Sequence, residues 1–585
     1  MDIQVTVPGN TALTTIFVSA SPTHFRNFGM TIGDAPDIKD VYVGLGKAWD
    51  TQVMFAKLMR RMNEVYTFKD GVTSHSDANV NKNIPAGYTY LGQFAAHDII
   101  RNSALLTDLA AAETNRKNMR ENSLLLDALY GDGPAFSGSL YQLSHPGEFF
   151  RTMLRTGSIS TPPASPEPAL GAAGKCPFAY RDIPRFQQSD LSENTPVDSG
   201  RPDILIPEQR NDDNAIVAQV TALFHHLHNA VVTALRALPD MPTYGDPAPR
   251  GRQLFTNARW VTSFLYRRII RDDLLNKLVI GAVWDQYVAN GYKPLADAPN
   301  SDGIPLEFSH AAYRLGHAMV RTNYTFNDDE PEHPDHQPQG IGDILKTSSA
   351  ERPHKFPLDL RWIADWSKFF RIAGTNRLQF SRRIGPCFNE KLLTADLFPN
   401  SPVGTGPGGE VLDGDDDDET KFPNNFCSGL LFSDLIRGTV GGLLTLDRIL
   451  KILPTDVRGS SLLLADDARR AQVLRDWLTA SRINFSEPEL VELSTNPPLI
   501  FWLLFEAAYE ADGCSLGTLG SIIVGDVFLA RLAATAGEID LDRRIEGNLL
   551  QLLFPTGLPS DMADLIRFTA RTLGLENADP SFASN

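Results

Sequence analysis

Residues 215–238 read AIVAQVTALFHHLHNAVVTALRAL, 24 positions without Pro or Gly, in which Ile216, Val220, Leu223, Leu227, Val231 and Leu235 recur at three- and four-residue steps. That period gathers the apolar side chains on one face of an α-helix. A helix this long and apolar belongs inside a packed core, so the spacing predicts a mainly α protein built around it. Similar patterns predict helices over residues 50–66, 253–278, 308–320, 432–452, 466–480 and 499–511. Strand-like alternation is short and confined to residues 3–7 and 14–18, so few short strands are expected. Pro-, Gly- and Ser-rich stretches at 134–202, 300–305, 327–357 and 399–425 read as long ordered loops that carry or cover a site.

Just upstream of the long helix, PEQRNDD (207–213) sets Arg210 at its buried end. Asp212 and Asp213 are expected in its first turn, where carboxylates interact well with the helix dipole. Capping explains the acids. It does not explain the guanidinium, which at a buried position usually serves a carboxylate, a phosphate or a developing anion.

Three other segments carry polar groups on apolar backgrounds. In GYTYLGQFAAHDII (87–100), Gln93 and His97 share one helical face. In FSHAAYRLGHAMVRTNYTF (308–326), His317 follows Tyr313 and Arg314 by about one turn, and Gly316 thins the chain beside it so that a flat group can approach. In LLFSDLIRGTVGGLL (430–444), Asp434 and Arg437 lie three apart, and the carboxylate can receive an imidazole N–H. Each segment alone also fits a polar group tied into the core.

Composition narrows the function. The chain has 585 residues, 42% hydrophobic and 21% charged, with a net charge of −17. That field disfavours nucleic acid and anionic lipid as partners. Cys176, Cys387, Cys427 and Cys514 are scattered without a C-x-x-C pair and read as buried free thiols. The first twenty residues lack the basic and apolar blocks of a secretory signal, and PPLIFWLLFEAAY (497–509) is too short an apolar run to cross a bilayer. A cytoplasmic protein, or one exported without a cleaved signal, is expected. The acidic run 413–419, DGDDDDE, reads as a solvated loop rather than an EF-hand. His225, His226 and His228 invite a metal-hydrolase reading, but no Glu sits among them and the H-E-x-x-H geometry is absent.

Taken together, AGYTYLGQFAAHDI, SLLLDALYGDGP, QRNDDNAIVAQVTALFHHLHNAVV, YRLGH, SRRIGP, DLIRG and PPLIFWLLFEAAY resemble the animal-type haem peroxidases of the peroxidase and cyclooxygenase superfamily, especially bacterial members. The resemblance runs over residues 84–532. It implies a single large haem-peroxidase fold, with haem between core helices. An N-terminal extension (1–71) and a C-terminal helical tail (534–585) would flank a catalytic domain (72–533).

Carried over by position, His97 would be the distal base, Gln93 its neighbour on the peroxide side and Arg210 the distal cation. His317 would bind the haem iron. Arg314 and Arg437 would neutralise haem propionates, and Asp434, where the family normally has Asn, would accept from the iron-bound imidazole. The implied reaction is reduction of hydrogen peroxide with oxidation of a small organic donor or halide, with a part in the response to oxidative stress. Splitting peroxide needs a base that moves a proton between its oxygens and a fixed positive charge where negative charge develops.

The sequence departs from that pattern in three places. Mammalian members ester-link haem through an Asp before the distal His, here Ala96, and a Glu three after the distal Arg, here Asp213. Haem b is therefore expected non-covalent, or with at most one ester through Asp213. Calcium beside the distal His would use Asp98, Ser123, the Leu125 carbonyl and Asp127, but Leu129 supplies no oxygen at the family's last ligand position. The radical-forming Tyr of cyclooxygenases falls at Arg314, with Tyr313 displaced by about 100° on a continuous helix. Peroxidase turnover is thus favoured over fatty-acid oxygenation, with a non-catalytic haem-binding protein as the other alternative.

Overall fold

A computed structural model describes residues 23–63, 79–101, 117–120, 124–143, 150–157, 182–186, 203–238, 247–297, 303–326, 338–345, 362–372, 378–393, 429–481, 483–534 and 549–574. The expected strands at 3–7 and 14–18, most of the long loops, the acidic run, Ser123, Cys176 and Cys427 lie outside them. Of the other two thiols, Cys387 is buried and Cys514 is partly exposed.

The architecture is mainly α. In chain order the elements that matter here are α1 (Ala48–Arg61), α2 (Gly87–Ile99), α3 (Ala215–Ala237), α4 (Pro247–Ile269), α5 (Leu306–His310), α6 (Leu315–Ala318), α7 (Leu430–Val440), α8 (Leu446–Ile452), α9 (Leu499–Ala511), α10 (Thr518–Ala534) and α11 (Met562–Thr572). Strands are marginal. Thr23–Arg26 pairs with Lys117–Asn118 on one side and Ile304–Pro305 on the other, and Val80–Pro85 pairs antiparallel with Phe380–Arg382.

Helix α3 is the axis, as its pattern predicts. It is long and apolar enough to span a membrane, yet its most apolar stretch is fully buried in protein, and only its last turns are partly open. Helices α2, α4 and α11 pack along it. Phe94 of α2 stacks on Phe224 of α3 at 4.9 Å, and Tyr266 of α4 meets both rings edge-on, an arrangement aromatic quadrupoles favour. Helix α1 packs on α7, so elements of both terminal regions lie against the central helices.

Two expected helices are broken. Over 308–320 the chain forms α5, a 3-10 turn (Ala312–Arg314) and then α6, and the guanidinium of Arg314 donates from Nε to the Ser309 carbonyl at 3.2 Å. A side chain thereby satisfies an acceptor that the next helical turn would have used. Over 432–452 the Gly441–Gly442 pair ends α7, with Gly442 at φ +68, and α8 begins four residues later at Leu446. Helix α4 runs into a π-helical stretch (Ile270–Leu275) before ending near Leu278.

Candidate functional site

The turn before α3 differs from the sequence expectation. Asp212 and Asp213 do not cap the helix. Gln209–Asp212 is a 3-10 turn, and Asn214 caps α3 by accepting from the amides of Ile216 and Val217 at 3.1 and 3.0 Å. Asp212 is buried and paired with Arg185 at 2.8 Å. Asp213 is left with a half-exposed carboxyl facing α2.

On α2 nearly every residue is buried, but Gly92, Gln93 and Ala96 form a partly open stripe that follows helical spacing. His97 lies at its edge, 7% exposed. Its Nδ1 donates to Asn211 Oδ1 at 2.8 Å, and its Nε2 lies 4.0 Å from Asp213 Oδ2. Because Asn211 Oδ1 can only accept, Nδ1 carries the proton and Nε2 presents its lone pair. Burial first, and the nearby Arg210 charge second, push the His97 pKa down to about 3, so the ring is neutral at ordinary pH. Gln93 Nε2 points at Asp213 Oδ2 from 3.5 Å, while its Oε1 accepts from Asn214 Nδ2 at 3.2 Å.

Arg210 is fixed by its own turn. Nε and Nη2 each donate to Glu208 at 2.9 Å, and Nη2 also reaches the Ile100 carbonyl at 2.6 Å. Arg120 pairs with the same Glu208 and donates to the His97 carbonyl at 2.7 Å. Burial opposes ionisation of Glu208, but the two guanidinium groups outweigh it and bring its pKa down to about 2. Asn211, Glu208, Arg120 and Asn214 were not among the sequence-derived candidates. The only signal for three of them was the density of polar side chains in EQRNDDN (208–214).

Across from this stripe, α6 packs against α2, and the Tyr313 hydroxyl donates to the Gly92 carbonyl at 3.2 Å. His317 is partly exposed, and its Nδ1 donates to Asp434 Oδ2 at 2.6 Å, leaving Nε2 for a ligand. Asp434 is buried, which disfavours its charge, yet the adjacent imidazole together with Arg314 and Arg437 holds its pKa below the ordinary carboxylate value. Arg314 Nη1 lies 3.7 Å from Asp434 Oδ1, beyond hydrogen-bonding distance. Arg437 Nε is buried without a partner among the described residues, and burial, reinforced by the charge of Arg314, lowers its pKa to about 10. The expected set is thus assembled as two groups: Gln93, His97, Arg210 and Asp213 on the α2 side, and Arg314, His317, Asp434 and Arg437 on the α6 side.

These residues fit a haem. Among the described residues, a side chain at Gly316 would meet nothing within 4 Å, and one at Gly92 would meet the Tyr313 hydroxyl at 3.6 Å, leaving the open space a flat macrocycle needs. The unpartnered Arg437 Nε is a donor suited to an acidic substituent.

The described members of the calcium set, which leave out Ser123, are held by protein contacts. Asp98 is fully buried and accepts from the amides of Leu126 and Ala128, Asp127 pairs with Arg259 at 3.2 Å, and Ser263 Oγ donates to the Leu125 carbonyl. The oxygens that would bind the ion are committed to tying the 124–128 turn to α2 and α4. The histidines of α3 are likewise committed: His225 Nδ1 donates to the Arg155 carbonyl at 2.6 Å, and His228 bonds the Thr152 carbonyl and the Tyr130 hydroxyl.

Residues 176–357 match the family model for animal haem peroxidase, a span that includes Arg210, Asp213, Arg314 and His317 but not His97 or Asp434. No curated protein matches the chain. Among solved structures, the fatty acid alpha-dioxygenase of Arabidopsis thaliana is similar at 14% identity and a TM-score of 0.42, over 86% of this chain and 71% of that one. The corresponding Oryza sativa enzyme is similar at 14% identity and a TM-score of 0.45, over 86% and 74%.

Proposed function

We propose, from the animal haem peroxidase match over residues 176–357, that this chain is a haem-dependent oxidoreductase that reduces hydrogen peroxide and oxidises a small organic donor or halide. The observation that carries the reading is the matched treatment of two imidazoles. His97 and His317 each give Nδ1–H to an acceptor, Asn211 and Asp434, and each keeps Nε2 free, on elements that pack together beside two glycines with open flanks.

In this reading His317 would hold the iron, and Arg437 and Arg314 would bind the propionates. Bound haem would carry the oxidising equivalents taken from peroxide to the donor. Asp434 draws on the Nδ1 proton and so strengthens the donor character of His317. On the α2 side, neutral His97 accepts a proton from peroxide at Nε2, and Asn211 keeps that nitrogen bare. Arg210 is held beside His97 with its Nη1 unengaged among the described residues, available to the departing oxygen. Gln93, oriented by Asn214, donates toward the same space. The catalytic unit is residues 72–533.

Titration with hemin tests the reading. A Soret band should appear and shift on addition of peroxide, and His97→Ala should slow that shift at least ~100-fold. A Soret band indifferent to peroxide would leave a haem-binding protein without this activity, and a rate near wild type would remove His97 from the role of base.

One observation favours fatty-acid oxygenation as a second reading. The break at 311–314 removes the continuous helix on which Tyr313 was expected to point away, and its hydroxyl reaches α2 at Gly92. An oxygenase needs such a side chain to abstract hydrogen from substrate. Loss of oxygen uptake with fatty acid in Tyr313→Phe, with peroxide turnover intact, would support it.

A further inference from the structure

The turn that precedes α3 addresses both nitrogens of His97. Asn211 takes Nδ1–H at 2.8 Å, and two residues later Asp213 faces Nε2 at 4.0 Å. We propose that Asp213 is a second proton-transfer group of this site, a carboxyl that exchanges a proton with Nε2 of His97. The inference rests on His97 being the proton acceptor, as proposed above, and extends it to where that proton goes next.

Asp213 is not used by the fold in the ways its neighbours are. Asn214 caps the helix, and Asp212 is neutralised by Arg185. The Glu208 carboxylate is neutralised by Arg120 and Arg210. Among the described residues, the hydrogen bond to the Asp213 carboxyl comes from Gln93 at 3.5 Å, the limit of such a contact. Gln93 is itself turned toward Asp213 by the bond from Asn214 to its oxygen. The carboxyl therefore stands beside a bare imidazole nitrogen with no strong partner of its own.

The charged groups around it are His97 on α2 and Arg210, Glu208 and Asp212 on its own turn. Half of its side-chain surface is open, and the rest is packed against protein. Burial raises the Asp213 pKa against the opposing charge of Arg210, and Glu208 and Asp212 add to the rise, bringing it up to about 7. His97 lies far below that. A proton accepted at Nε2 thus passes downhill to Asp213: imidazolium and carboxylate become imidazole and carboxylic acid, with one proton moved and no change in electrons. The acid then gives that proton to the departing oxygen, which leaves as water, and both groups return to their starting states. Closing the separation to hydrogen-bond length takes a side-chain shift of roughly 1 Å, of the kind catalytic pairs make when their ligand binds.

Infrared difference spectroscopy of the full chain tests this without cofactor. The carboxylic-acid carbonyl band assigned by subtracting D213N from wild type should titrate with a midpoint near pH 7. In His97→Gln the midpoint should move by at least about half a pH unit, because the acceptor of the acid proton has changed. Asp213→Glu should keep a titrating band, which separates loss of the carboxyl from loss of the fold. A wild-type band that survives in D213N, or a midpoint unmoved in His97→Gln, overturns the proposal.

In hemin-loaded protein, association of hydrogen cyanide, which must surrender its proton to a base, should lose its inflection near pH 7 in D213N. Superimposable wild-type and D213N profiles would overturn the proposal too. Failure to take up hemin would sink the peroxidase reading alone, since the infrared coupling is measured without it.

Discussion

Nδ1 of His317 and Oδ2 of Asp434 lie 2.6 Å apart, a hydrogen bond that joins α6 to α7 across 117 positions of sequence. A full carboxylate pulls harder on that proton than an amide would, giving the imidazole more anionic character, and with His317 as the proposed haem ligand this would stabilise the higher iron oxidation state. Asp434→Asn should raise the reduction potential of the hemin-loaded protein. Redox titration giving an equal or lower potential would show that the pairing does not tune the metal.

Asn211 is the corresponding partner of His97, and it acts through that ring rather than on substrate. Asn211→Ala leaves Nδ1–H without an acceptor and releases the tautomer, and should slow the reaction with peroxide by about 10-fold or more, in line with other orienting partners of histidine. Asn211→Asp restores an acceptor and adds a charge that favours imidazolium. It should recover part of the rate and move the acidic limb of the pH profile upward, which stopped-flow measurement across pH reads directly.

Gly316→Leu tests the slot itself. Among the described residues nothing lies within 4 Å of the added Cβ, and Leu is the better helix former by a margin of up to about 1 kcal/mol. The variant should melt within a few degrees of wild type yet lose most hemin uptake. Normal uptake would place the macrocycle elsewhere.

The buried histidines make stability fall in acid. His225 has its pKa pushed down to about 4, chiefly by burial, against an unfolded value near 6.5. Between those values the unfolded chain binds the extra proton, so unfolding free energy rises with pH through this window and is lost as pH drops. The contribution of one such group is at most about 1.4 kcal/mol per pH unit. His225→Asn should flatten the slope of stability against pH by up to that amount between about pH 6.5 and 4, whatever it does to the absolute value. Asp98 and Asp213, whose pKa values are raised to about 6 and about 7 by burial, act in the opposite sense, so the comparison must be of slopes between variant and wild type in denaturant titrations.

Helical periodicity made α3 and α9 legible to within a residue, because their apolar faces are buried along their length and nothing interrupts the backbone. The same method ran through the breaks at 311 and 441, where a guanidinium five residues on and a glycine pair settle the matter. The candidate residues were named from four separate stretches, with Asp434 among them as the partner of His317, but the partners on the α2 side were not. Which of Asn211, Asp212, Asp213 and Asn214 caps, pairs with Arg185 or faces His97 is decided by contacts with α2 and residue 185, and no local spacing encodes that choice.

Asp273, in the π-helical stretch after α4, accepts from the Tyr88 hydroxyl at 2.7 Å and from the Met562 amide at 2.9 Å, at the start of α11. The first turn of α2 and the first turn of α11 are thereby seated on one carboxyl group. Several hundred positions of sequence separate these two turns, so the helix bearing His97 gains this anchor only after distant parts of the chain have been brought together.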